Sequence, residues 1–224
     1  MTQKKRIGLL TIGQSPRKDM TADLEPIFKE KIEYMEAGAL NGLTLAEVLP
    51  MAPKTGEHFL VTRLADGTMV TVASHHLEQR MQHQVTQLEA AGVSAILILC
   101  TEKFAPFRCS VPVFYPNDML KEYIHTHYPA AHLGVILPEE GQMEDFARVW
   151  RQSFPHVTAA HGSPYLKDGS LEAAACAFAE TDVDLIVLDC MGYSAQQQEM
   201  AAARSGKPVL LSRTLAAQLL VEQI

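Results

Sequence analysis

Cysteine is scarce in this chain, and the spacing of its cysteines argues against two common uses of the residue. The 224 residues include four cysteines, and no two of them form a Cys-x-x-Cys pair. Zinc knuckles and thioredoxin-type redox pairs both depend on that spacing, because two thiolates must reach one metal ion or each other. The histidines are scattered as well, so no metal site and no cofactor are predicted.

Long apolar runs and a strong charge imbalance are also absent. The longest apolar stretches, near Ala95–Cys100 and Leu185–Leu188, have the length of a strand, whereas a membrane helix needs about 20 residues. The net charge of −7 is spread along the chain, so nothing attracts it to nucleic-acid phosphates or anionic lipid. The polar segment Met1–Arg6 lacks the apolar core of a signal peptide. We therefore expect a soluble cytoplasmic protein with reduced thiols that binds neither nucleic acid nor membrane.

Segments typical of strands and helices alternate along the chain, and 47% of its residues are hydrophobic. Such alternation is typical of α/β proteins with doubly wound parallel sheets, in which helices cover the strands. The segment 58–72 departs from this plan. Two strand-like runs flank Asp66-Gly67 there, which predicts a β-hairpin.

The two halves of the sequence repeat the same plan. Four pairs of segments correspond in order: IGLLTIGQSPR with LGVILPEEGQM, IEYMEAGAL with VTAAHGSPY, SAILILCTEKF with DLIVLDCMGYS, and VPVFYPNDML with KPVLLSRTLA. An internal repeat of this kind predicts two pseudo-symmetric α/β domains with a cleft between them. We expect the first domain to span 1–115, with the hairpin as an insertion and with 207–224 completing it, and the second to span 116–206.

The repeat makes Cys100 and Cys190 equivalent, each at the end of a predicted strand. Ligands of open parallel sheets bind beyond the carboxyl ends of the strands, where helix N-termini offer unpaired N–H groups. A lone cysteine in such a place is more often a packing residue than a functional one. The matched positions favour a shared function, and both interpretations stay open. Cys109 and Cys176 lack this symmetry and are assigned to structure.

Two loops occupy equivalent places after the first strand of each half, Gly13–Arg17 and Glu139–Gly141. In the first loop, Ser15, Arg17 and backbone N–H groups suit a carboxylate or a phosphate. The alternative is a Ser-Pro helix start with a solvated arginine.

The stretches LTIGQSPR, AILILCT, VLDCMGY and PVLLSRTLAAQLL together make the chain resemble the AroM family over nearly its whole length. The family's name associates it with aromatic amino-acid biosynthesis and identifies no reaction. More distantly, the plan of two halves resembles the aspartate/glutamate/hydantoin racemase superfamily. Its members hold a substrate between two pseudo-symmetric domains, and each domain places a cysteine at the end of a central strand.

The superfamily resemblance implies a cofactor-independent racemase or isomerase that acts on a small carboxylate. One thiolate removes the Cα proton, and the opposite thiol returns a proton to the other face. Carried over, Cys100 and Cys190 are the acid and base, and at least one of them should have a lowered pKa. The resemblance and the two loops together give a substrate-binding set: Ser15, Arg17, Thr101, Met191, Gly192 and Tyr193.

The residues after the cysteines depart from the amino-acid racemase pattern. There the first cysteine precedes Asn-Thr and the second precedes Thr-His, whereas here Thr101-Glu102 and Met191-Gly192-Tyr193 follow. Two alternatives therefore stand beside the isomerase: a non-catalytic carboxylate-binding or regulatory protein, and a decarboxylase that needs only Cys190. Whether the chain forms a homo-oligomer is left open.

Overall fold

A computed structural model describes residues 4–224, so Met1–Gln3 of the predicted first domain lie outside the described residues. The strands are β1 Lys5–Thr11, β2 Ile32–Gly38, β3 Phe59–Arg63, β4 Met69–Ala73, β5 Ala95–Ile98, β6 Val113–Phe114, β7 Leu133–Leu137, β8 Val157–His161, β9 Leu185–Leu188 and β10 Val209–Leu211. The α-helices are α1 Lys18–Phe28, α2 Leu45–Val48, α3 Ser74–Ala90, α4 Pro116–His127, α5 Met143–Ser153, α6 Ser170–Ala179, α7 Ala195–Ser205 and α8 Ser212–Gln223. Within residues 4–224, no helix has the length and apolarity to cross a membrane.

Two parallel four-stranded sheets have the same strand order. The first runs β2-β1-β5-β6 and the second β8-β7-β9-β10, as the repeat predicts. Equivalent hydrogen bonds join the central strands, from the Leu99 N–H to the Leu10 oxygen at 2.7 Å and from the Asp189 N–H to the Ile136 oxygen at 3.0 Å. The predicted α/β class with two related parallel sheets is confirmed.

The chain divides into two compact units, and the division differs from the expected one at the C-terminus. The first unit contains the chain up to Thr21, Phe28–Tyr115 and Leu220–Ile224, and the second contains Ala22–Ile27 and Pro116–Leu219. We expected 207–224 to complete the first domain, and only Leu220–Ile224 of that segment belong to the first unit. Instead β10 pairs in parallel with β9, because it is the repeat equivalent of β6 and forms the corresponding edge strand of its own sheet.

Each unit has its own hydrophobic core. In the first, α3 places Leu77, Met81, Val85 and Leu88 on one buried face against the sheet, as residues three and four apart on a helix must lie. In the second, alternate β9 residues enter two separate clusters, with Ile186 and Leu188 in one and Leu185 and Val187 in the other. Strand alternation therefore sends successive side chains to opposite faces of this sheet.

The predicted hairpin is present and is attached to the loop after β1. Strands β3 and β4 pair antiparallel, and Gly67 in the turn has a φ of 88°, a conformation that glycine adopts without steric cost. The Gln14 side chain accepts the Ala65 N–H at 2.8 Å and donates to the oxygens of Leu40 and Leu43 at 3.0 and 2.7 Å. One amide therefore joins the loops after β1 and β2 to the hairpin.

Gly13 makes the closest approach in this arrangement, and its replacement tests the packing. A Cβ at Gly13 would lie 2.4 Å from the Arg63 oxygen and 2.4 Å from Thr62 Oγ1, whereas a Cβ at Gly141 would meet nothing within 4 Å. We expect Gly13→Ala to lower the free energy of unfolding by about 1 to 3 kcal/mol. Gly141→Ala should change it by less than about 0.5 kcal/mol. Urea denaturation followed by circular dichroism measures both, and equal midpoints would contradict the close packing.

Candidate active site

Cys100 and Cys190 have the same backbone environment within their own units. Each lies two residues beyond the last residue of a central strand, β5 or β9. The Glu102 N–H donates to Cys100 Sγ at 3.5 Å, and the Gly192 N–H donates to Cys190 Sγ at 3.3 Å. Both cysteines are partly exposed. The duplicated strand ends therefore hold two thiols in matched turns, each with a donor placed to stabilise negative charge on sulfur.

The other two cysteines have different surroundings. Cys109 is partly buried and packs against the core of the first unit. Cys176 is exposed on α6, although its alanine-rich helix suggested a packed position. Neither lies at a strand end.

In the first unit, the loop that carries Ser15 follows β1, which pairs with β5. Adjacent parallel strands end at the same edge of a sheet, so this loop and the Cys100-Thr101 turn share that edge. Asn41 holds Ser15 in place, since its Oδ1 accepts the Ser15 N–H and its Nδ2 donates to Ser15 Oγ, both at 2.9 Å.

Arg17 is not the solvated side chain of the alternative interpretation. The residue is 3% exposed, and its Nε and Nη2 donate to the two carboxylate oxygens of Asp19 at 2.9 and 2.7 Å. Its backbone N–H donates to Glu36 Oε2 at 2.6 Å. The Asp19 carboxylate therefore already binds the Arg17 guanidinium. Direct contact of Arg17 with a ligand stays a prediction.

An ion pair beside Cys100 was not foreseen from the sequence. Glu102, in the turn after Cys100, lies with Oε2 3.0 Å from Nε2 of His58, at the start of the hairpin. The two residues are 44 positions apart in the sequence, so their contact depends on the tertiary fold. The contact is an ion pair when His58 is protonated.

In the second unit, the Tyr165 hydroxyl lies 3.8 Å from Cys190 Sγ. Ser163 Oγ accepts the Tyr165 N–H at 3.3 Å and so fixes the start of this loop, and the Gln197 amide donates to the Pro164 oxygen at 3.1 Å. A Cβ at Gly192 would lie 2.4 Å from the Tyr165 hydroxyl, so a larger residue there would require the Tyr165 side chain to move. Sequence reasoning missed Tyr165, and its one signal was the segment HGSPY at a strand end.

Burial raises the pKa of the Cys190 thiol, while the hydrogen bonds from Gly192 and Tyr165 lower it in part. The nearby Asp189 charge raises that pKa and the Arg213 charge lowers it, both by less than the hydrogen bonds do. The net direction opposes a lowered pKa at this cysteine. Cys190 is therefore a neutral thiol at neutral pH, which suits a proton donor.

Asp189 and Cys190 have different partners, as strand alternation requires. Asp189 Oδ2 accepts the Trp150 Nε1–H at 2.6 Å, and Trp150 belongs to the cluster on one face of the sheet. Cys190 packs against the cluster on the other face. These neighbouring side chains therefore pack on opposite faces of the sheet.

Two of the predicted substrate-binding residues have buried side chains. Tyr193 and Met191 are 0% and 1% exposed, and the Tyr193 hydroxyl donates to the backbone oxygen of Gly162. Burial also raises the pKa of Tyr193 well above its ordinary value, so the hydroxyl stays protonated. Of the three residues after Cys190, the partly exposed Gly192 is the one that can still offer its backbone to a ligand.

The loop after β7 holds a carboxyl group with altered acidity. Burial raises the pKa of Glu139, and the nearby His161 opposes the change.

Residues 4–224 contain no group of three or more potential metal ligands.

The AroM protein family model matches residues 7–224. This chain belongs to the AroM family. No curated protein matches it.

Solved structures share the fold of this AroM chain at low sequence identity. Allantoin racemase from Klebsiella pneumoniae is 15% identical with a TM-score of 0.67, and the match covers 98% of this chain and 87% of that one. The maleate isomerase Iso from Pseudomonas putida S16 is 13% identical with a TM-score of 0.65, covering 99% and 93%. A glutamate racemase from Francisella tularensis in complex with D-glutamate is 13% identical with a TM-score of 0.59, covering 98% and 81%. The predicted likeness to the racemase superfamily is therefore confirmed at the level of the fold.

The raised pKa of Cys190 in this AroM protein predicts how its alkylation depends on pH. Only the thiolate reacts with iodoacetamide, so the rate at Cys190 should rise to a midpoint above about 8.5, the value of a free cysteine. Peptide-resolved mass spectrometry gives this rate and that of the exposed Cys176 from the same sample. A midpoint below that of a free cysteine would contradict the dominance of burial.

The contrast between the two tyrosines predicts separate effects of removing each hydroxyl. Tyr193→Phe removes the hydroxyl that donates to the buried Gly162 oxygen and should cost about 1 to 3 kcal/mol of unfolding free energy. Tyr165→Phe changes a partly exposed residue and should cost less than about 0.5 kcal/mol, while slowing alkylation of Cys190 at a fixed pH. Denaturant titration and the alkylation assay measure the two effects, and a larger stability loss for Tyr165→Phe would reverse the assignment.

Proposed function

We propose that this AroM protein is a racemase- or isomerase-type enzyme that acts on a small carboxylate, with Cys100 and Cys190 as an opposed base and acid. The observation that carries the proposal is the matched turn at each strand end, where an N–H donates to the sulfur. Packing alone does not require each thiol to accept a hydrogen bond from the backbone N–H two residues further along the chain. Two of the three fold relatives, by their names, act on maleate and glutamate, which are small carboxylates.

The proposed reaction uses the two thiols in succession. The Cys100 thiolate takes a proton from the carbon next to the substrate carboxylate, and the electron pair of the broken C–H bond passes into an enolate. The neutral Cys190 thiol then gives its proton to the opposite face of that carbon and becomes a thiolate. Each sulfur must come within about 3 to 4 Å of the reacting carbon for these transfers. The reverse direction exchanges the two roles.

Carboxylate binding in this proposal relies on backbone donors at the strand ends. Thr101 and Ser15 are proposed as polar contacts, together with the N–H groups of the turns. Arg17 stays a proposed ligand contact, for which the substrate carboxylate would compete with Asp19. The enolate carries its developing charge on the carboxylate oxygens, so donors fixed there lower the barrier.

Proton exchange with a panel of small acids tests the proposal. The protein is incubated in D2O with each enantiomer of aspartate and glutamate, and NMR follows loss of the Cα–H signal. We expect turnover of at least one compound and a loss of about a hundredfold or more in Cys190→Ala. The unfolding free energy of that variant should fall by only about 1 kcal/mol, and Cys176→Ala should keep full activity.

Other outcomes of the same assay distinguish the alternatives. A fully active Cys190→Ala variant would contradict the proposal. Turnover that survives in Cys100→Ser would favour a one-cysteine reaction such as decarboxylation, for which a malonate-type acid is added to the panel. Calorimetric binding of a carboxylate without exchange or product would favour the binding protein.

A further inference from the structure

A buried arginine lies beneath the turn that follows Cys190. Arg213, at the start of α8, is 1% exposed, and a buried cation must be compensated by an anion and by hydrogen-bond acceptors. Its Nε donates to the Met191 oxygen at 2.8 Å, its Nη2 to the Gly192 oxygen at 3.0 Å, and its Nη1 to Asp23 Oδ2 at 2.7 Å. Two of these three partners are backbone oxygens of the turn itself.

The contact with the Met191 oxygen controls where the next N–H points. In a planar trans peptide, the C=O of one residue and the N–H of the next point in opposite directions. Arg213 holds the Met191 oxygen on one side of this peptide, so the Gly192 N–H faces the other side, where it donates to Cys190 Sγ at 3.3 Å. We propose that Arg213 is a positioning residue for the Cys190 thiol and acts through this single peptide bond.

Asp23 extends the same support to the end of the turn. The oxygen that accepts from Arg213 also accepts the N–H of Ala195, the first residue of α7, at 2.9 Å. A carboxylate at a helix N-terminus is stabilised by the unpaired N–H groups and the helix dipole. Arg213 and Asp23 together therefore fix both ends of the segment between Cys190 and α7.

The charged and titratable groups around the thiol include one cation and one anion. Tyr165 faces it from the loop after β8, Asp189 precedes it on its own strand, Tyr193 lies within the turn, and Arg213 approaches from α8. Arg213 supplies positive charge and Asp189 negative charge. When Cys190 loses its proton, the negative charge left on the sulfur therefore lies near a cation that is already in place.

The repeat makes this support a property of the second half. The alignment of KPVLLSRTLA with VPVFYPNDML places Asn117 at the position that corresponds to Arg213. Asparagine carries no charge and cannot form the three-way fork of a guanidinium. The role of this contact in catalysis rests on the proposed function. In that reaction the proton donor is Cys190, the cysteine whose turn Arg213 holds.

The test measures the Cys190 thiol directly and needs no substrate. Iodoacetamide alkylation of Cys190 is followed from pH 6 to 11 in the wild type and in Arg213→Gln, Arg213→Lys, Asp23→Asn and the exposed-surface control Arg204→Gln. Arg213→Gln should shift the midpoint up by about one pH unit, an approximately tenfold slower reaction below the midpoint. Asp23→Asn, which leaves the carbonyl contacts in place, should give a smaller shift. Arg204→Gln should give none.

Arg213→Lys separates peptide orientation from charge. Lysine keeps the positive charge but lacks the planar fork that reaches two carbonyls and a carboxylate together, so we expect a midpoint between those of the wild type and Arg213→Gln. A wild-type midpoint in Arg213→Lys would overturn the role of the peptide bond. An unchanged midpoint in Arg213→Gln, or faster alkylation there, would overturn the inference as a whole.

Folding and catalysis are controlled separately. Circular dichroism shows whether each variant is folded. If Arg213→Gln does not fold, Arg213→Lys and Asp23→Asn provide the test. An alkylation midpoint equal to that of the wild type in both variants would then contradict the inference. Failure of the proposed function would appear as absent proton exchange in the wild type, which leaves the alkylation midpoints unaffected. The two failures are therefore distinguishable.

Discussion

The pairing of the two central strands in each sheet is the constraint on which the candidate site depends. The Leu99 N–H meets the Leu10 oxygen, and the Asp189 N–H meets the Ile136 oxygen, which fixes where each second strand ends. Because the pairing is parallel, the loops after both strands leave at the same edge. One residue further along the chain, Cys100 or Cys190 enters a turn whose N–H returns to its sulfur. A shift of one residue in this register would send each thiol to the other face of its sheet.

On this common backbone the two halves have diverged in the side chains around each cysteine. Cys100 is followed by Glu102, which pairs with His58 of the inserted hairpin. Cys190 lies near Tyr165 and above the buried Arg213. A reaction that proceeds from one face of a carbon to the other needs two similar groups in different protonation states. In the proposed reaction, duplication of the strands would supply the similarity, and divergence of the surrounding side chains would supply the difference.

The sequence was sufficient for the features that depend on local pattern. The alternation of strand and helix segments predicted the parallel sheets, Asp66-Gly67 predicted the hairpin turn, and the repeat predicted the equivalence of the two cysteines. The sequence did not predict contacts between residues that lie far apart in the chain. Tyr165 reaches Cys190 from the loop after another strand, and Arg213 reaches the Met191 oxygen from a helix that begins after β10. A residue type in a loop does not reveal its direction, which explains why sequence reasoning places the buried Tyr193 among the ligand-binding residues. The segment 207–219 was assigned to the wrong unit, because the same strand pattern fits an edge of either sheet.

The raised pKa of Cys190 is compatible with catalysis when the two protonation states are considered separately. Burial keeps the thiol neutral in the resting protein, so the proton is available to be donated. Once donated, it leaves a thiolate in a poorly solvated place, which on its own would raise the barrier. The Gly192 N–H, the Tyr165 hydroxyl and the Arg213 charge all oppose the effect of burial, and each is already oriented before the reaction. Fixed donors of this kind stabilise the charge as it develops and need no rearrangement at that moment. In the proposed reaction, burial thus sets which cysteine holds the proton, and the oriented turn lowers the cost of releasing it.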